Sequence, residues 1–126
     1  MGLNLAFFPR QTLVSTKSRG SAEYYSDPVC VRRFESLTFE FRLFGLIGTS
    51  PVVDVFVETA ADLTVQDLVP SPWRVILAFP GIGVAPEMLR AGLTMETVSR
   101  YVRARVMLHP EDAAMTFSFI ATARGN

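Results

Sequence analysis

The sequence predicts an all-β protein: an antiparallel β-sandwich of jelly-roll type, preceded by an extended N-terminal segment. Three observations carry this. Apolar and polar side chains alternate with period two in at least five runs, as expected of strands with one buried face. Eight prolines and eight glycines punctuate the chain at short intervals. Only one segment, 86–101, has helical character. With 126 residues, 49% of them hydrophobic, the chain can bury a full core as one domain without disulfide staples.

Residues 1–36 form the first unit, an N-terminal arm or a set of edge strands. Polar clusters (Ser15, Thr16, Ser18, Gly20, Ser21) separate short β-prone pieces such as 12–16 and 29–34, and Asp27-Pro28 marks a turn or an extended kink. The apolar residues Leu3, Leu5, Phe7 and Phe8 are candidate anchors on a neighbouring subunit.

Residues 37–126 form the sandwich. Leu37, Phe39, Phe41 and Leu43 point one way and Thr38, Glu40 and Arg42 the other. A turn with Gly45, Gly48, Ser50 and Pro51 leads to Val53, Val55 and Val57, whose strand is expected to pair with the preceding one. Trp73, Val75, Leu77 and Phe79 make a third row, ended by Pro80, Gly81 and Gly83. Pro86 suits a first helical position and Thr94 an N-cap, so a loop with one or two helical turns is expected before the fourth row. That row is Val98, Val102, Ala104, Val106 and Leu108, backed by Tyr101, Arg103, Arg105 and Met107. The last is Met115, Phe117, Phe119, Ala121 and Ala123, and 109–113 is expected to close a hairpin between the two. Ten phenylalanines against one tryptophan suit a dry core stacked between two sheets.

Composition excludes several classes. Twelve basic residues balance twelve acidic ones, so broad phosphate neutralisation, and with it specific nucleic-acid binding, is not expected. One cysteine (Cys30) and one histidine (His109) cannot build a Cys/His zinc site, and no cofactor or metal is expected. The N-terminus lacks the charge and cleavage pattern of a signal peptide, and no apolar run approaches a membrane span. Arginine outnumbers lysine 11 to 1; base composition accounts for such a bias, and guanidinium groups also suit protein interfaces.

Each candidate site has a plainer reading. Arg100, Arg103 and Arg105, interleaved with Tyr101, resemble a polymer-gripping stripe. The balance of charges favours the plainer reading, an outward sheet face on which Arg103 and Arg105 pair across strands with Glu40, Asp54 or Glu58. Trp73 and Tyr101 are the candidate glycan-stacking residues, although Trp73 in phase with Val75 and Leu77 reads as a cap on the core. Gly81-Ile82-Gly83 lacks the Lys-Ser/Thr pair of a phosphate loop and reads as a turn. Glu58, Asp62 and Asp67 match no calcium loop and read as solvated turn acids. His109 has neither a nucleophile nor an orienting group nearby in sequence, so no catalytic residue is nominated and an enzyme is not expected.

The layout from Leu37 to Arg124 resembles the small β-sandwich accessory proteins of tailed-phage virions, the head-decoration and fibre-associated subunits. It rests on Leu37-Thr38-Phe39-Glu40-Phe41, Val53-Asp54-Val55-Phe56-Val57-Glu58, Trp73, Tyr101-Val102-Arg103-Ala104-Arg105-Val106 and Thr116-Phe117-Ser118-Phe119. The resemblance implies a non-enzymatic structural subunit located in the virion and assembled in the host cytoplasm. Its partners would be other structural proteins of the particle and further copies of itself, a trimer being one option, with no membrane contact. Leu3, Leu5, Phe7, Phe8, Arg103 and Arg105 are the candidate partner-binding residues. The alternative is a carbohydrate-binding sandwich using Trp73 and Tyr101.

Overall fold

The computed structural model of the chain describes residues 2–15, 22–61, 73–110 and 112–125. Among these are nine strands: β1 (Gly2–Val14), β2 (Ala22–Tyr25), β3 (Val29–Cys30), β4 (Phe34–Ile47), β5 (Val52–Ala60), β6 (Arg74–Ile82), β7 (Glu87–Thr94), β8 (Tyr101–His109) and β9 (Ala114–Gly125). All pairings are antiparallel. One sheet has the order β1-β9-β4-β7; the other runs β2-β8-β5-β6, with the short β3 also on β8. Most consecutive strands lie in opposite sheets, which is the jelly-roll arrangement.

The two inner faces are chemically different. Phe7 and Phe8 of β1, Phe39 and Phe41 of β4, and Phe117 and Phe119 of β9 tile the first sheet, with neighbouring ring centroids 5.4–6.1 Å apart. Tilted and edge-on rings at this spacing add about 0.5–1.5 kcal/mol per pair beyond the area they bury. The facing sheet presents Val53, Val55 and Val57 of β5 with Val102, Ala104, Val106 and Leu108 of β8, all buried. Bulky planar groups on one layer thus meet compact branched ones on the other, which favours a densely filled interior.

Several sequence expectations are corrected by this topology. β5 does not pair with β4: it leaves for the opposite sheet and lies between β6 and β8. The connection 109–113 does not close a hairpin either, because β8 and β9 belong to different sheets. It turns tightly, with the Ala113 N–H donating to the Pro110 carbonyl at 3.1 Å, and the Ser15 N–H caps the Ala113 carbonyl at 2.8 Å. Alternation identifies which face of a strand is buried, but both layers of a sandwich need such a face, so the pattern does not assign a strand to a layer.

The segment 87–94 is a strand, not helical turns. Leu89, Ala91 and Leu93 alternate inward against β4, and a single 3₁₀ turn, Met95–Thr97, follows. Lying at the sheet margin, these side chains are only half-buried, so the alternation is diluted by Met88 and Gly92 on the other side. β6 also runs further than expected, through Pro80 and Gly81 to Ile82, which pairs with Val53. Leu77 and Phe79 pack against the core as expected, opposite Val57 and Val55, but a register shift between the Val57 and Glu58 pairings reverses the phase at the start of β6. Ile76 then packs against the core while Val75 is 47% exposed.

A similar irregularity explains β1. Its pairing with β9 shifts between Ala6 and Phe8, so that two successive residues, Phe7 and Phe8, are both buried.

Candidate assembly face

The outer face of the β2-β8-β5-β6 sheet gathers most of the chemically distinctive side chains. Alternation along β8 sends Tyr101, Arg103, Arg105 and Met107 outward, while β5 places Ala60, Glu58, Phe56 and Asp54 opposite them in that order. β2 adds Glu23 and Tyr25, the latter opposite Arg105. Trp73, immediately before β6, completes the set.

Arg103 is the hub. Its guanidinium lies 4.4 Å from the Tyr25 ring centroid and 4.3 Å from that of Trp73, and its Nε donates to Glu58 Oε1 at 2.8 Å. Arg105 lies 4.4 Å over Phe56 and donates through Nη1 to Glu23 Oε1 at 3.3 Å. Its Nε is 3.4 Å from Glu58 Oε2, close enough for an ion pair but not directed as a hydrogen bond, and that Nε has no other partner. Glu58, 6% exposed, is therefore compensated by two arginines. The planar guanidinium both stacks and donates, which a lysine ammonium does not.

Glu23 and Tyr25 are coupled. The Tyr25 hydroxyl donates to Glu23, holding the Glu23 carboxyl below its ordinary value; burial opposes this, and Arg105 and Arg103 reinforce it. The same hydrogen bond raises the Tyr25 hydroxyl above its ordinary value, with burial adding to the effect.

Trp73 does not cap the core as its sequence phase suggested. It is half-buried on this outer face, because the irregular register of β6 removes it from the inward row, and the Arg103 guanidinium covers its ring. Tyr101 occupies the same face, opposite Ala60, and its carbonyl accepts from the Thr59 hydroxyl at 2.8 Å. Arg100 is exposed and takes no part in the network.

The N-terminal candidates separate. Leu3 is 46% exposed and Leu5 is half-buried, whereas Phe7 and Phe8 are spent on the chain's own core. Of the four anchors expected for a neighbour, the two phenylalanines are thus committed elsewhere.

His109 has a partner that its sequence neighbourhood does not show. Its Nε2 lies 3.2 Å from Asp54 Oδ2, and Asp54 Oδ1 accepts from the Gly81 N–H at 2.7 Å. Cross-strand proximity of β5 and β8 makes this pair. Glu58 is in a strand and buried, not in a solvated turn, while Asp62 and Asp67 lie outside the described residues. Among the described residues no group of three or more His, Cys, Asp or Glu side chains could hold a metal ion. No described helix is long and apolar enough to cross a membrane.

Topology and face together define a jelly-roll β-sandwich with an outer layer of stacked aromatic rings and paired charges. Solved structures sharing this fold include proteins of infectious bursal disease virus. The VP2 subviral particle superposes with a TM-score of 0.62 at 8% identity, over 99% of this chain and 32% of that one. Structures of the Gt and Gx strains give TM-scores of 0.58 and 0.60 at 9% and 8% identity, over 99% and 100% of this chain and 33% of each of theirs. The chain thus spans about a third of the length of these neighbours, and the likeness is one of fold. No family model matches the sequence, and no curated protein matches it.

Proposed function

We propose that the protein is a non-enzymatic structural subunit of a virion or virus-like particle, acting as a capsid decoration or tail- or fibre-associated component through contacts with other structural proteins and with copies of itself. The observation that carries this reading is the superposition of essentially the whole chain on a solved virus-particle protein. The arrangement of its charges supports it. Arg103 and Arg105 are held rigid by Glu58, Glu23 and three aromatic rings, so that face enters a contact with little side-chain ordering cost. Leu3 and Leu5, on the edge strand β1, offer an apolar margin beside the adjoining sheet.

The test is incorporation. Particles purified from cells making the unmodified chain, and chains carrying Leu3→Asp or Arg105→Glu, are compared by electron microscopy and protein composition. Incorporation of the unmodified chain, reduced by either substitution while the β-type circular dichroism spectrum persists, supports the reading. A chain that never co-purifies with particles overturns it.

A carbohydrate-binding reading is favoured by one observation, the placement of Trp73 and Tyr101 on a single outer face. Titration with oligosaccharides, followed through the emission of the sole tryptophan, distinguishes it: a saturable change supports glycan binding, and an unchanged spectrum removes it.

A further inference from the structure

A sandwich of two open sheets has edges, and an exposed regular edge is a template for another strand. Among the described residues three of the four edges are interrupted. β1 carries Pro9 and two register shifts. β6 carries Pro80, a left-handed Gly81 at φ +68° and two register shifts. β2 and β3 are four and two residues long and are separated by Ser26, Asp27 and Pro28.

β7 differs from all of them. Its eight residues pair with Ser36–Leu43 of β4 in unbroken register, no proline lies within it, and β4 is the only strand it pairs with among the described residues. Leu89 and Leu93 pack against the core yet remain only half-buried, Ala91 between them is half-buried on the same face opposite Phe39, and Met88 on the opposite face is 49% exposed. Among the described residues the edge therefore offers backbone groups that no second strand pairs, together with unfinished apolar burial.

We propose that two copies of this chain pair antiparallel through β7, joining their four-stranded sheets into one continuous eight-stranded sheet. The register follows from the side chains. A two-fold axis perpendicular to the sheet keeps inward residues opposite inward ones, so the axis passes at a residue and not between two. An axis at Arg90 sets two guanidinium groups directly opposite, which is unfavourable. Moved to Ala91, it sets Arg90 opposite Gly92 of the partner subunit, Leu89 opposite the partner's Leu93, and Met88 opposite the partner's Thr94. Arg90 then lies over a position without a side chain, where even a Cβ would have only ordinary contacts 3.8 Å away. Glu40, 3.4 Å from Arg90, remains as its counter-charge. The leucine pairs extend the inner apolar layer across the junction. This self-complementarity of charge and volume favours a second copy over an unrelated strand, and it does not depend on a role in particles.

Sedimentation and amide hydrogen exchange of the full chain over a concentration series test the proposal. The expected result is a mass rising to twice 14.0 kDa, with alternate β7 amides becoming protected over the same concentration range. Ala91→Lys, which sets two ammonium groups at the axis, weakens association by about a hundredfold or more with the β-type spectrum retained. In a Cys30→Ser background, Ala91→Cys gives an oxidation-dependent dimer and Val75→Cys on β6 does not. A monomer at every concentration, a dimer indifferent to Ala91→Lys, or protection appearing on β1 or β6 in place of β7 overturns the proposal. If Ala91→Lys does not fold, the exchange map of the unmodified chain decides alone; protection shared with a foreign protein and absent from the pure chain also counts against self-pairing.

Discussion

The Arg103 Nε donates to Glu58 Oε1 at 2.8 Å, so a carboxylate with little solvent access is neutralised by a cation stacked between two aromatic rings. Removing the cation leaves Glu58 with Arg105 alone, at 3.4 Å. Arg103→Ala is expected to destabilise the fold by roughly 2–3 kcal/mol, measured by urea unfolding. It also uncovers Trp73, so the emission of the native state moves to longer wavelength. Arg103→Lys, keeping the charge without the planar stack, should fall between the two.

The aromatic layer predicts a steep contrast among phenylalanines. Phe119 is fully buried and touches the rings of Phe7, Phe39 and Phe41. Phe119→Ala should cost about 3–5 kcal/mol, enough to leave the domain marginal or unfolded. Phe44 is 37% exposed and carries only the Arg10 guanidinium 4.2 Å from its centroid. Phe44→Ala should cost under about 1 kcal/mol. Thermal unfolding of both variants checks the ordering.

Two glycines of the β4–β5 region should respond oppositely to one methyl group. At Gly48, φ is +136° and an added Cβ would stand 3.0 Å from the Ala113 Cα, in the backbone of the crossing connection. Gly48→Ala is expected to destabilise by about 1–3 kcal/mol. At Gly45 an added Cβ meets nothing within 4 Å, and Gly45→Ala should be neutral or slightly stabilising. Denaturant midpoints of the two variants decide.

Stability should have both an acid and an alkaline limb. The Tyr25 hydroxyl lowers Glu23, Arg42 and Arg90 lower Glu40, and Thr49 lowers Asp112, whose ordinary values are 4.5, 4.5 and 3.8. Groups lowered in the fold stabilise above those values, and the contribution disappears as pH falls through the folded pKa. Tyr25 is raised above its ordinary 10.0, so its contribution is complete below that value and is lost as pH rises through the folded pKa. Urea midpoints should therefore be level through the neutral range and decline at both ends. Tyr25→Phe should flatten the alkaline limb and soften the acid one.

The sequence displays the rows of the core openly and the connections hardly at all. Leu37 to Leu43, Val53 to Val57, Val102 to Leu108 and Met115 to Ala123 all face inward as their alternation requires. The layer of each strand was hidden, since the valines of β5 would fit beside β4 as well as they fit across from it. β7 escaped because an edge strand half-buries its apolar residues and tolerates Gly92 and Met88 between them. Trp73 leaves its expected row, and the successive residues Phe7 and Phe8 are both buried, through register shifts, which change the phase of a strand without leaving a mark in composition. The outer face was legible only in part. Arg103 and Arg105 announced a cationic stripe with Glu58 as one possible counter-charge, but the stacking of Arg103 on Trp73 and the Asp54–His109 pair depend on neighbours 55 or fewer positions away in sequence that only the fold brings together.

The first and last strands are hydrogen-bonded side by side, with Gly2 opposite Arg124 and Val14 opposite Ala114. The sheet built on β9 cannot close until the final strand leaves the ribosome, so synthesis of this domain ends with its most phenylalanine-rich layer still waiting for its central member. The two ends also emerge next to each other, which lets a domain of this design be spliced into a longer polypeptide as a self-contained loop with little disturbance to its host.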